Sequence, residues 1–117
     1  MKKITKPWGY EVLLYKSKDY CIKKLFMKRS HRCSLQLHKK KKETFYVLDG
    51  SLELTLKINN KTNLKTFKNN EYFTIKPGQI HRMKAKKNTT YLEVSTNFLN
   101  DVVRLEDDYL RKVKNKL

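Results

Sequence analysis

The stretch S-H-R-C-S-L-Q-L-H-K-K-K-K-E-T-F-Y-V-L-D-G, residues 30–50, decides how this chain is read. Two short runs of alternating side chains, 33–38 and 43–48, flank four consecutive lysines, and Asp49-Gly50 ends the second run with a turn dipeptide. A period of two marks a β-strand, in which neighbouring side chains project to opposite faces. Gln36 and His38 therefore share one face of the first strand, with Cys33, Leu35 and Leu37 on the other. Glu43 opens the next strand, where a hairpin through the lysine turn would return it beside them.

The same period extends outward through 10–15, 20–28, 51–58, 64–67, 72–75, 80–85 and 90–95. Asn59-Asn60, Asn69-Asn70 and Pro77-Gly78 punctuate the runs. Nine short strands at such spacing predict an all-β sandwich, barrel or jelly roll. Leu105, Tyr109 and Val113 recur every four residues, and Asn100 or Asp101 could cap a helix, so a short C-terminal helix is predicted over about 101–115. The barrel itself is expected to span about 8–96 of a single domain covering 1–117.

Composition sets limits on function. A chain of 117 residues is the size of one domain, which excludes a two-domain enzyme. Thirteen aromatics argue for a packed core despite 33% charged residues and a net charge of +17. No apolar run approaches the ~18 residues of a membrane span, and no apolar stretch follows the basic N-terminus as it would in a secretory signal. Cys21 and Cys33 form no CxxC pair, so a reducing, cytoplasmic setting without a membrane partner is expected. Lysine accounts for 23 of the 28 cationic residues. Compositional drift from A-rich codons and a selected basic surface both remain open explanations. Nucleic-acid binding by a basic barrel is one reading, but the chain lacks an aromatic–basic RNA signature and a basic recognition helix.

Three histidines are present. His31 precedes its strand and reads as a surface residue. His81, just after Pro77-Gly78, begins another strand. On spacing alone the simpler account makes His38 an isolated strand histidine and His81 a turn residue. Were Gln36, His38, Glu43 and His81 to converge, two imidazoles, a carboxylate and an amide oxygen would suit one divalent ion: Zn²⁺, Mn²⁺, Fe²⁺ or Ni²⁺.

The wider pattern favours convergence. Ser30-x5-Gln36-x-His38-x4-Glu43-x6-Gly50 resembles the first motif of the cupin superfamily, G-x5-H-x-H-x4-E-x6-G. Gly78-x2-His81 is similar to part of the second motif, although its upstream Gly falls on Asn70, its Pro on Lys76 and its terminal Asn on Ala85. Lys6-Pro7-Trp8-Gly9-Tyr10-Glu11 resembles the W-G-x-x-E opening of the type II mannose-6-phosphate isomerase cupins. Arg32-Cys33-Ser34-Leu35-Gln36-Leu37-His38 is similar to that family's R-L-S-L-Q-x-H. Val102-Val103-Arg104-Leu105-Glu106-Asp107-Asp108-Tyr109 resembles its closing I-V-R-x-E-D-x-Y-G-R, with Leu110 in place of the Gly.

That resemblance implies a single-domain cupin, a double-stranded β-helix or jelly-roll barrel, with Gln36, His38, Glu43 and His81 as metal ligands and zinc as the first choice of metal. It implies an aldose–ketose isomerase converting mannose 6-phosphate to fructose 6-phosphate. The alternative is a metal-binding cupin, non-catalytic or differently catalytic, that takes a sugar or sugar nucleotide. In that family the domain is often fused to a mannose-1-phosphate guanylyltransferase, which has no counterpart here, so a free-standing cupin is expected.

Isomerisation moves a proton between C1 and C2 and needs a base near the metal. Glu93, mid-strand with Tyr91 and Ser95 on its face, is the candidate base; an outer-surface ion pair with a lysine is the equal alternative. For the phosphate, Arg82 follows the metal histidine as in the family, with Lys23 and Lys76 behind it, although strand alternation should turn Arg82 away from His81. Trp8 reads as a core or lid residue, Cys33 as a non-ligand, and Lys39 to Lys42 as a solvated turn at the rim. The Leu35–Leu37 face is expected to bury itself against a second copy in a homodimer.

Overall fold

The computed structural model describes residues 2–111 and 113. Its strands are β1 (Lys3–Lys6), β2 (Gly9–Lys16), β3 (Tyr20–Met27), β4 (Leu35–Leu37), β5 (Glu43–Asp49), β6 (Ser51–Ile58), β7 (Lys61–Lys68), β8 (Tyr72–Ile75), β9 (Ile80–Ala85), β10 (Thr89–Thr96) and β11 (Val103–Glu106). They form two antiparallel sheets, ordered β1-β2-β3-β10-β5-β8 and β11-β4-β9-β6-β7. The nine runs of alternating sequence are β2 to β10.

Alternation builds the interior. On β5, Glu43, Phe45 and Val47 are buried; on β10, Thr89, Tyr91, Glu93 and Ser95 are. Cross-strand partners project to the same face, and the register aligns Val47 with Tyr91, Phe45 with Glu93 and Glu43 with Ser95. In the other sheet Leu52 faces Ala85, Leu54 faces Met83 and Leu56 faces His81. One end of the interior is therefore apolar, joined by Met27, Phe67 and Phe73. The other end holds Glu43, Glu93, Ser95 and His81. This polarity follows from which inward positions carry charge.

Two sequence expectations need correction. β4 and β5 lie in different sheets, so the lysine turn is not a β-hairpin but a crossing between sheets. The Asp101 carboxylate accepts hydrogen bonds from the backbone N–H groups of Lys39, Lys40 and Lys41 and shapes that crossing. The C-terminal helix is replaced by β11, which pairs with the otherwise open edge of β4. None of residues 101–111 and 113 is helical; Lys112, Lys114 and Asn115, within the expected helix, lie outside the described residues. Four-residue recurrence was outweighed by the hydrogen bonds that an unpaired strand edge offers. Leu35 is 5% exposed within the protomer and Leu37 half-buried.

Backbone conformation explains how the chain tolerates its missing glycines. Ser30, Asn70 and Leu110 stand where the resembled motifs carry Gly, and all three adopt positive φ, at 69°, 69° and 61°. The turns thus keep their left-handed geometry with side chains that disfavour it. Gly50, at φ 134°, could not be replaced in the same way, because a Cβ would lie 2.7 Å from the Cα of Thr89. Ser30→Gly is expected to raise the unfolding free energy by up to about 1 kcal/mol, partly offset by the greater chain entropy of the unfolded state. Gly50→Ala is expected to lower it, and denaturant titration of the two variants checks both signs.

A candidate metal centre at the polar end of the barrel

β4 and β9 are neighbours, with Gln36 directly opposite His81. Glu43 arrives from the facing sheet across the lysine crossing. His38 Nε2 and His81 Nε2 lie 2.9 and 3.2 Å from Glu43 Oε2, and the imidazole centroids are 5.2 Å apart. His38, Glu43 and His81 are all buried, with one ligand atom from each within 4.8 Å of the others.

Proton positions make this cluster chemically specific. His38 Nδ1 is held by the backbone carbonyl of Asp101, and His81 Nδ1 lies 2.8 Å from the carbonyl of Gln79. A carbonyl only accepts, so each Nδ1 carries a proton and each ring turns its Nε2 toward Glu43. Those two nitrogens and Glu43 Oε2 are buried with no hydrogen-bond partner among the described residues. Burial alone would raise the Glu43 carboxyl, but the imidazoles of His38 and His81 and the Lys41 ammonium hold it well below the usual carboxylate range. Two imidazole nitrogens, each able to give up a proton, and a carboxylate converging on one point fit a divalent cation. Gln36 lines the same cavity, and its amide nitrogen lies 3.7 Å from Cys33 Sγ.

A cavity of about 500 Å³ opens above the cluster. Lys23 and Glu93 line it; Lys76 and Arg82 do not. Arg82 is corrected most clearly. As strand alternation requires, it points away from His81, donating to the backbone carbonyls of Cys33 and Glu106 at 2.9 and 3.3 Å. It ties β9 to the C-terminal segment rather than facing substrate. Lys76 is exposed, its backbone N–H bonded to Gln79. Lys23 is engaged by Glu11 at 2.9 Å.

Glu93 points inward and is buried, not paired on the outer surface. Its partner is Lys41, which also contacts Glu43, at 3.6 and 3.2 Å. Burial pushes the Glu93 carboxyl up, Lys41 opposes it and the Glu43 charge reinforces it. Burial works against the Lys41 ammonium, but Glu93 and Glu43 outweigh it and keep it charged. Sequence reasoning took Lys41 for a solvated turn residue; nothing in four identical lysines marks the one that folds inward. Glu11, Arg104 and Asp101 were missed because only the pairing of segments distant in the chain brings them to the site. Burial raises the Cys33 thiol, which disfavours a thiolate ligand. Trp8 is buried in the core and lines the cavity.

Fold and cluster together define a cupin. The family model described as mannose-6-phosphate isomerase C-terminal matches residues 1–107, and the chain belongs to that family. No curated protein matches the chain. Among solved structures it is similar to KdgF from Halomonas sp., at 12% identity and TM-score 0.73, covering 82% of this chain and 86% of that one. An RmlC-like cupin from Shewanella frigidimarina has 11% identity and TM-score 0.72, covering 81% and 82%. Oxalate decarboxylase from Bacillus subtilis has 18% identity and TM-score 0.76, covering 89% of this chain but only 30% of that one. These likenesses establish the fold. No helix among the described residues is long and apolar enough to cross a membrane.

Removing a metal-site partner outside the coordination sphere typically costs about 10–100-fold in affinity. His38→Ala, His81→Ala and Glu43→Gln are each expected to lose at least that much, while Lys76→Gln keeps wild-type metal content. Elemental analysis with competitive chelation checks this. Acidification is expected to release metal because the imidazoles must be neutral to bind it, whereas the depressed Glu43 stays ionised through mild acid.

Proposed function

We propose that the protein is a metal-dependent aldose–ketose isomerase of a phosphorylated sugar, with mannose 6-phosphate and fructose 6-phosphate as the pair. The observation that carries this is the convergence of His38, Glu43 and His81 beside a cavity lined by His38, Glu43 and Glu93, the last a buried carboxylate with a raised pKa. The family match supports the choice of substrate class. Zinc is the first candidate for the metal, with manganese, iron and nickel behind it, and Gln36 is its proposed fourth protein ligand. A bound divalent ion would polarise the sugar carbonyl.

The chain's own residues do the rest. Glu93 lies two positions along β10 from Ser95, which is opposite Glu43. That diagonal puts its Cα about 7–8 Å from that of Glu43, close enough to serve a substrate seated over the cluster. As a carboxylate, Glu93 takes the proton from C2 of the aldose while a water molecule gives one to the carbonyl oxygen at C1, leaving hydroxide and the enediol. Glu93 then returns its proton to C1 while the hydroxyl at C2 gives its own to that hydroxide, giving the ketose and restoring the water. Lys41 holds Glu43 and Glu93 apart and steadies charge that develops on oxygen. Burial tunes Glu93 toward the range in which a carboxylate serves as a base near neutrality.

A coupled assay for mannose 6-phosphate to fructose 6-phosphate on metal-loaded protein tests this. Glu93→Gln is expected to lower kcat by about 10²–10⁴-fold with metal content unchanged. Because the carboxylate is the working form and its pKa is raised, activity should climb with pH along a limb above the usual ~4.3 of glutamate. Absence of turnover in metal-loaded wild type would favour the second reading, a sugar-binding cupin in which the Lys41 ion pair keeps Glu93 occupied.

A further inference from the structure

One row of side chains runs across the inner face of the five-stranded sheet. His81 is opposite Gln36, and Gln36 is opposite Arg104 on β11. Opposed residues project to the same side, so Arg104 stands two strand spacings, about 10 Å, from His81. It lines the wall of the same cavity.

The surroundings of Arg104 are unlike those of the other arginines near it. Arg32 pairs with Asp108, Arg82 with the C-terminal backbone, and Arg111 bidentately with Asp107 at 2.8 and 3.0 Å. The Arg104 Nε is buried and has no hydrogen-bond partner among the described residues. Burial and the neighbouring Arg111 cation both act against its charge. Leaving a buried guanidinium donor unmatched is costly. The other cavity cations are committed: Lys6 and Lys23 to Glu11, and Lys41 to Glu43 and Glu93. Among the described residues Arg104 alone of these cavity cations keeps an Nε without a hydrogen-bond partner.

We propose that Arg104 is the anion-binding residue of the cavity, receiving the phosphomonoester end of a ligand whose other end lies over His38, Glu43 and His81. A guanidinium matches two phosphoryl oxygens at once, which an ammonium cannot. The separation of about two strand spacings suits a phosphate carried at the far end of a hexose from its carbonyl. Naming the anion as a sugar phosphate rests on the proposed function; the subsite itself rests on the unmatched donor and the row.

The test uses the full chain loaded with metal, with mannose 6-phosphate, mannose and inorganic phosphate as probes in titration calorimetry. Wild type is expected to bind mannose 6-phosphate more tightly than mannose. Arg104→Gln should weaken mannose 6-phosphate roughly 10- to 100-fold, and Arg104→Lys by less, with metal content and mannose binding unchanged. Lys76→Gln should change nothing. On wild type, the Nε–Hε resonance of Arg104 should shift when inorganic phosphate is added, a measurement independent of whether the variants fold. Unchanged mannose 6-phosphate affinity in Arg104→Gln, equal wild-type affinity for mannose and mannose 6-phosphate, or an unmoved resonance would each overturn the proposal. Turnover with an unaltered KM in Arg104→Gln would overturn the subsite alone. Phosphate-dependent binding through Arg104 without wild-type turnover would overturn the isomerase and leave the subsite standing.

Discussion

An ionised carboxylate sits almost out of reach of water inside a small β-barrel, and the polar half of the interior is arranged around it. Glu43 is 2% exposed. Taking such a charge out of water costs several kcal/mol unless cations and donors replace the solvent. Two imidazole nitrogens and the Lys41 ammonium supply that replacement, each brought by a different part of the chain: the end of β4, the start of β9 and the lysine crossing. Asp101 then fixes both the crossing and, through its carbonyl, the tautomer of His38. The C-terminal segment is thereby bound to the site as well as to the sheet edge.

The division of the barrel into an apolar and a polar end lets one modest core serve both stability and chemistry. Tyr91, Phe45 and Val47 fill the apolar end on the same strand faces that carry Glu93 and Glu43 further along. Among the described residues Arg104 lines the cavity and keeps a buried Nε without a hydrogen-bond partner. The pattern separates groups that hold the architecture, such as Arg82 on the outer side of β9, from groups that face a ligand.

Loop conformation turns out to be more robust than loop composition. Ser30, Asn70 and Leu110 keep the left-handed backbone that glycine would adopt freely. The turn beside Ser30 is secured by its N–H to Ala85, and that beside Asn70 by its N–H to Val47, at 2.9 and 2.8 Å. Tertiary hydrogen bonds from strand ends impose the conformation that the local side chain disfavours.

From the sequence alone came the all-β class, strands β2 to β10 and the shared face of Gln36 and His38, because a period of two is a local property that survives any packing. Which inward residues meet is not local. Lys41 is one of four identical neighbours; its ammonium meets Glu43 and Glu93, while Asp101, 60 residues on, holds the backbone of the crossing. Arg82 seemed the nearer phosphate partner because it adjoins His81, yet adjacency on a strand puts the two on opposite faces. Arg104 lies far along the chain from Gln36, but the β11–β4 register sets them side by side. The last stretch could be helix or strand by its own pattern, and the open edge of β4 made it a strand. Sequence determined the faces, and the pairing of distant strands decided what each face confronts.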